Sequence, residues 1–345
     1  MHEFIRDDAG AARRANVLVV NDDGIAAAGL AKVVEALDRT GRLDVYVVAP
    51  DKEMSATSHS ISIHNAVSAT PCVVPGATRA FSSSGTPADC TMLGLSVLYR
   101  SKRFDYIVSG INRGDNLGLH VVYSGTVAGA REGAMRTGAV GVAVSLDSYS
   151  RAADYSEAAR LTAELVTAVH DAPGLTETLR GCVLNVNVPN LPRERIEGVK
   201  LTTPGLSCTQ SEWVRVPGTR DAKDDETRGP DSDSDGDWRH DGAFADGVEE
   251  IPIPDAGEGL AGGDDAWESG TRWFRNKPGP AREDNREGFD KRAMRDGFVS
   301  VSVLASGYAT VAFDRTKIPN ENAGLGETLA RALMPDGVPA IRSAA

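Results

Sequence analysis

The chain has 345 residues, 41% of them hydrophobic, and a formal net charge of −12. A length of this order admits one large domain or about two, and the charge balance is hostile to binding a nucleic-acid polymer. There is no apolar run of about 18 residues to cross a membrane, and Met1 to Ala12 mix charges with small residues instead of forming a signal peptide, so a cytoplasmic location is expected. Cys72, Cys90, Cys182 and Cys208 are scattered without a C-x-x-C spacing and are expected to be free thiols. The charge is unevenly spread. Residues 219–290 hold 21 Asp and Glu against 9 Lys and Arg, which accounts for the whole excess.

In chain order, Val17 to Val20 are four aliphatic residues, three of them β-branched, as suits a strand covered on both faces. The strand runs into Asn21-Asp22-Asp23-Gly24, a turn in which Gly24 permits a positive φ, and Ala26 to Leu37 follow as a helix. Asp44 to Pro50 give a second strand at βαβ spacing, followed by the hydroxyl-rich loop Asp51 to Ser60. Short β-type runs are expected at Ile61 to Val67, Pro71 to Val74 and Arg79 to Ser82. Gly85-Thr86-Pro87 then opens a helix to about Tyr99, with Thr86 or Ser84 as its cap. Phe104 to Ser109 form a buried strand that empties into the Gly- and Asn-rich loop Gly110 to Gly118. A small-residue helix (Val127 to Arg136), a strand (Val140 to Ser145), an amphipathic helix (Tyr155 to His170) and a strand (Val183 to Pro189) complete the alternation. The alternation predicts a doubly wound α/β fold with a mostly parallel sheet.

Beyond Pro189, Gly198 to Thr203 and Gly297 to Leu304 are expected as strands on either side of the acidic, Gly/Pro-rich segment, which is expected to be mobile. Its Asp231 to Asp237 run imitates a calcium loop, but counting Asp231 as the first position puts Gly242 where an EF-hand needs Glu. The resulting division is an N-terminal tail (1–15), an α/β core (16–218), an acidic insertion (219–290) and a C-terminal strand and helix (291–345).

Ligands in open α/β sheets gather at the carboxyl ends of strands, and three polar loops follow predicted parallel strands here. Asp22, Asp23, a hydroxyl in the Ser55 loop and an amide oxygen from Asn112 would make an oxygen-only site suited to Mg²⁺ or Mn²⁺. Such a cation polarises a phosphoryl oxygen and lowers the pKa of a bound water, as phosphoester hydrolysis requires. The loop Gly110 to Gly118 and the helix start at Ser124-Gly125-Thr126 offer backbone N–H groups to a phosphate. Taken singly, each feature also has an ordinary reading: Asp-Asp-Gly as a turn, Thr86 as a helix cap, Asn112 and Asn116 as turn residues. His59 is a candidate for touching substrate against an ordinary surface role. No G-x-S-x-G elbow and no P-loop occurs, which weakens serine-hydrolase and P-loop readings.

Five motifs in order carry a resemblance: Asn-Asp-Asp-Gly at 21–24, Val-Ala-Pro-Asp at 48–51 followed by Ser55, Gly-Thr-Pro-Ala-Asp-Cys at 85–90, Ser-Gly-Ile-Asn-x-Gly-x-Asn-x-Gly at 109–118, and Tyr-Ser-Gly-Thr-Val-Ala at 123–128. Together they resemble the SurE family of survival-protein nucleotidases, and Asn-Val-Asn-Val-Pro at 185–189 with Asp-Gly-Phe-Val-Ser-Val at 296–301 extend the resemblance over about Asn16 to Tyr308, interrupted by the acidic segment. The resemblance implies a metal-dependent phosphatase acting on nucleoside 5′- and often 3′-monophosphates, with the metal at Asp22, Asp23, Ser55 and Asn112. It implies phosphate or substrate contacts at Gly24, Gly85, Thr86, Asn116, Ser124, Gly125 and Thr126, catalysis by Asp22 and Asp23, and a homodimer or homotetramer. Which of the two acids serves as general base stays open. A non-catalytic nucleotide- or metal-binding module, and a general small-molecule or polyphosphate phosphatase, are the alternatives. The long acidic segment departs from the family pattern.

Overall fold

The computed structural model describes residues 14–216 and 273–306. Its strands are β1 (Ala15–Val20), β2 (Leu43–Pro50), β3 (Ala69–Cys72), β4 (Arg79–Ser83), β5 (Tyr106–Arg113), β6 (Val140–Asp147), β7 (Cys182–Pro189), β8 (Gly198–Thr202), β9 (Cys208–Val216), β10 (Trp273–Arg282) and β11 (Phe298–Ala305). The α-helices are α1 (Ala28–Arg39), α2 (Pro87–Leu93), α3 (His120–Tyr123), α4 (Gly125–Thr137), α5 (Ser156–Asp171), α6 (Pro173–Leu179) and α7 (Asp290–Arg295).

Side chains of a strand alternate between faces, so a strand buried on both sides must be apolar throughout. In β1, Val17 and Val19 enter one core layer, while Leu18 and Val20 enter the other. The first layer is closed by Leu30, Val33, Val34 and Leu37 of α1, at helical spacing, together with Ala158, Leu161, Leu165 and Val169 of α5. On the opposite face lie Cys90 of α2, with Tyr46, Tyr99 and Phe104, and then Val127, Ala130 and Ala134 of α4. The result is a nine-stranded sheet in the order β3-β4-β2-β1-β5-β6-β7-β11-β8. Only the β3–β4 and β7–β11 pairs are antiparallel within it. β9 and β10 form a separate antiparallel pair.

Chain connectivity places the site. From β1 the chain moves to β2 and outward to β4, then returns to β5 on the other side of β1. The carboxyl ends of β1 and β5 therefore flank a topological switch point, where α/β sheets open a crevice.

Three expectations need correction. Ile61 to Val67 is not a strand: Ile61 and Ile63 are exposed, and the Ser62 N–H goes to the Asp89 carboxylate instead of a ladder. The strand expected to stop at Ser109 continues to Arg113, because a register irregularity between Ser109 and Asn112 lets it rejoin β6. The acidic insertion expected over 219–290 has given way to folded chain by Trp273, and Asp284, Asn285 and Asp290 are buried. Composition fails there because these acids are satisfied: Asp284 accepts from Leu206 N and Arg286, and Asp290 from Gly118 N and Gly205 N. The remainder of that segment, including Asp231 to Gly242, lies outside the described residues, as do 1–13 and 307–345. Among the described residues no helix is long and apolar enough to cross a membrane.

Candidate active site

At the end of β1 the chain must turn, and Asn21 builds the turn. Its Nδ2 donates to Gly24 O (2.8 Å) and its Oδ1 accepts from Gly24 N (3.2 Å), while Gly24 takes φ +99°, a region that L side chains avoid. Asp22 and Asp23 are thereby held side by side on the bend.

Asp22 is 3% exposed. Thr126 grips both of its oxygens: the hydroxyl donates to Oδ1 at 2.6 Å and the backbone N–H to Oδ2 at 3.1 Å. Thr126 lies in the first turn of α4, whose N-cap Ser124 accepts from Val127 N at 3.1 Å. The positive end of the helix dipole thus faces the carboxylate. Such an approach needs a residue without a side chain at Gly125, where a Cβ would lie 2.9 Å from Asp22 Cβ. Asp23 is more open. Its Oδ2 accepts from Arg113 N at 3.1 Å, and its Oδ1 accepts no hydrogen bond from the described residues.

Burial pushes the Asp22 carboxyl up from 3.8 to about 7, with the adjacent Asp23 charge adding to the rise against the opposing Thr126 bonds. Burial raises Asp23 too. Two neighbouring carboxylates whose ionised forms are both disfavoured make a site short of positive charge, which a divalent cation would supply.

The donor set fits such a cation. Met54 N donates to Asp22 O at 2.7 Å, so Ser55, the next residue, is tied to the same corner; its Oγ donates to Glu53 Oε1 at 2.9 Å. Asn112 stands directly before Arg113, whose N–H holds Asp23. The Asn112 Nδ2 is committed to Gly114 O (2.8 Å), which turns its carbonyl oxygen the other way. Two carboxylates, a hydroxyl and an amide oxygen are hard ligands of the kind Mg²⁺ and Mn²⁺ take. Among the described residues no cluster of three or more His, Cys, Asp or Glu side chains competes for a metal.

The remaining expected residues divide. Gly24, Gly125 and Thr126 adjoin the acid pair, and Ser124 caps the helix that carries Thr126. Gly85 and Thr86 sit at the start of α2, where Thr86 forms a capping box with Asp89 and spends its hydroxyl proton on Ser60 O (2.7 Å). Asn116 is buried in an amide network: its N–H donates to Asn187 Oδ1 (2.8 Å), its Nδ2 to Ser145 Oγ (2.8 Å), and its carbonyl accepts from Asn185 Nδ2 (2.9 Å). These bonds shape the loop after β5.

Sequence reasoning gave no site role to Arg113, Asn185 or Asn187 and did not foresee Glu132 as the partner of His59 (2.8 Å). The asparagines had a signal, since both interrupt an otherwise apolar buried strand.

Residues 17–211 match the family model described as "Survival protein SurE". The chain belongs to the SurE family. It is 44% identical over 200 residues to the 5′-nucleotidase SurE of Symbiobacterium thermophilum, spanning 58% of this chain and 75% of that protein. A similar protein, the 5′-nucleotidase SurE of Carboxydothermus hydrogenoformans, is 39% identical over 192 residues, 55% of this chain and 70% of that one. The crystal structure of the SurE protein from Aquifex aeolicus has the same fold, with a TM-score of 0.58 at 26% identity, covering 90% of this chain and 99% of that chain. The SurE match contains all five motifs and ends before the acidic segment.

Proposed function

We propose that this SurE-family protein is a metal-dependent 5′-nucleotidase that releases phosphate from nucleoside 5′-monophosphates and, with them, 3′-monophosphates. The observation that carries the reading is the clamp of Thr126 on Asp22 at the start of α4, beside an Asp23 that keeps one oxygen free. The names of the relatives at about 40% identity support the same reaction class. Asp22, Asp23, Ser55 and Asn112 would hold Mg²⁺ or Mn²⁺. Bound there, the cation supplies charge neutralisation, polarisation of a phosphoryl oxygen and a lowered pKa for water.

The residues of the chain do the rest. Thr126 fixes Asp22 in one orientation through two donors, so that carboxylate is a holder. Asp23 Oδ1 is the acceptor available for the proton of an attacking water. Gly125 leaves room where a side chain would collide with Asp22, and the positive end of the helix dipole behind it favours an anionic group such as phosphate.

Phosphate release by the full chain from 5′-nucleotides, 3′-nucleotides, short polyphosphate and an aryl phosphate tests the reading, each with Mn²⁺, Mg²⁺ or chelator. Nucleotide hydrolysis that vanishes with chelator and returns with Mn²⁺ is expected. Undiminished hydrolysis after exhaustive chelation would overturn the metal dependence, and absence of release from every nucleotide would overturn the function.

A further inference from the structure

Ser55 lies in a loop whose backbone is unusual. Ala56 and Ser58 take φ of 57° and 53°, left-handed values that non-glycine residues hold only when surrounding contacts fix them. The contacts are specific. Ser58 donates from N and Oγ to Tyr123 O (2.9 Å) and Val122 O (2.8 Å), and Ser60 O accepts from Thr86 Oγ1 (2.7 Å). Between these ties, His59 Nε2 meets Glu132 Oε2 at 2.8 Å.

Glu132 is an unusual anchor. It is 3% exposed and lies on α4, the helix whose first turn grips Asp22. Its other oxygen already accepts from Arg136, which in turn contacts Met92. The carboxylate therefore has a cationic partner without His59. What the histidine contact adds is a connection between α4 and the loop four residues beyond Ser55. That connection uses the Nε2 proton of the imidazole, since both carboxylate oxygens only accept.

We propose that His59 is a positioning residue: through Glu132 it locks the Ser55 loop to α4, holding Ser55 in register with the acid pair that α4 itself orients. The inference rests on the metal reading given above. Removing the tie leaves every candidate ligand and the backbone ties at Met54, Ser58 and Ser60 in place but loosens the link of the Ser55 loop to α4, so metal affinity falls while the acids remain.

Full-length protein stripped of metal, as wild type, His59→Ala and His59→Gln, would be titrated with Mn²⁺ by calorimetry, alongside phosphate release at varied Mn²⁺. His59→Ala is expected to weaken Mn²⁺ binding roughly tenfold, the scale seen for supporting contacts around a metal site, with the half-activating Mn²⁺ rising in parallel. Turnover at saturating Mn²⁺ is expected to fall far less. His59→Gln, whose amide can donate to Glu132, is expected to recover most of the affinity. Val33→Ala in α1 serves as a control that lowers the melting temperature while leaving Mn²⁺ affinity unchanged, which separates positioning from general stability. Wild-type Mn²⁺ affinity in His59→Ala would overturn the tie alone. A wild-type protein that binds no Mn²⁺ would overturn the metal reading and this inference with it.

Discussion

Asp22→Asn separates what the acid pair does for chemistry from what it does to the fold. In the metal-free protein the Asp22 carboxyl stands at about 7 against an ordinary 3.8, because burial disfavours its ionised form. A raised carboxyl contributes stability that is complete below the unfolded value and is lost as pH rises through the folded value, here between about 4 and 7. At 1.36 kcal/mol per pKa unit the contribution at stake is on the order of 4 kcal/mol. Asparagine imitates the protonated form and keeps both contacts: its Oδ1 can accept the Thr126 N–H, and its Nδ2 can donate to a Thr126 hydroxyl that has turned round. The variant should therefore match wild type near pH 4 and exceed it near pH 8, while losing phosphate release. Urea unfolding in the presence of chelator at both pH values measures the difference, and comparing the two proteins cancels the other acids, such as Asp284, which Arg286 holds down at about 2. A variant less stable than wild type at pH 8 would refute the electrostatic reasoning.

Two further substitutions test the frame of the site. Thr86→Ala removes the capping box of α2 and should cost about 1 kcal/mol in urea unfolding, with Thr86→Ser restoring it. Gly133→Ala would place a Cβ 2.4 Å from Ile107 Cγ1, forcing α4 off the sheet at a cost of about 1–3 kcal/mol, and pairing it with Ile107→Ala, which removes that atom, should cost less than the two single losses added together on the same assay.

Much of the fold was legible because its signal is repetitive. Apolar strands such as Val17 to Val20 and amphipathic helices such as the one over Ser156–Asp171 show periodicities that burial alone dictates. The acid pair stood out for a different reason: Asp-Asp-Gly alone reads as a turn, and it is the three polar loops after parallel strands that mark this corner as a candidate site. The partners of these residues were not legible. Thr126 reaches Asp22 across 104 positions and Arg113 reaches Asp23 across 90, distances over which no local pattern carries information. The segment from Trp273 to Asp290 misled in the opposite sense, since its charges resemble a solvated stretch until their buried partners are seen.

The small residues of α4 link these two kinds of information. Gly125 and Gly133 permit the helix to lie close against Asp22 and Ile107, and closeness is what converts a helix start into a pair of donors for a buried carboxylate. With Asp22 held on both oxygens, the two acids cease to be equivalent. Among the described residues Asp23 accepts a hydrogen bond through one oxygen only, from Arg113 on the strand that also carries Asn112. A general base must exchange a proton with something other than the protein around it, and an oxygen that already accepts from a fixed donor is less suited to that than one that accepts none. On the proposed reading this asymmetry supports Asp22 as the holder and Asp23 as the proton acceptor, a division that the sequence Asp-Asp left symmetrical.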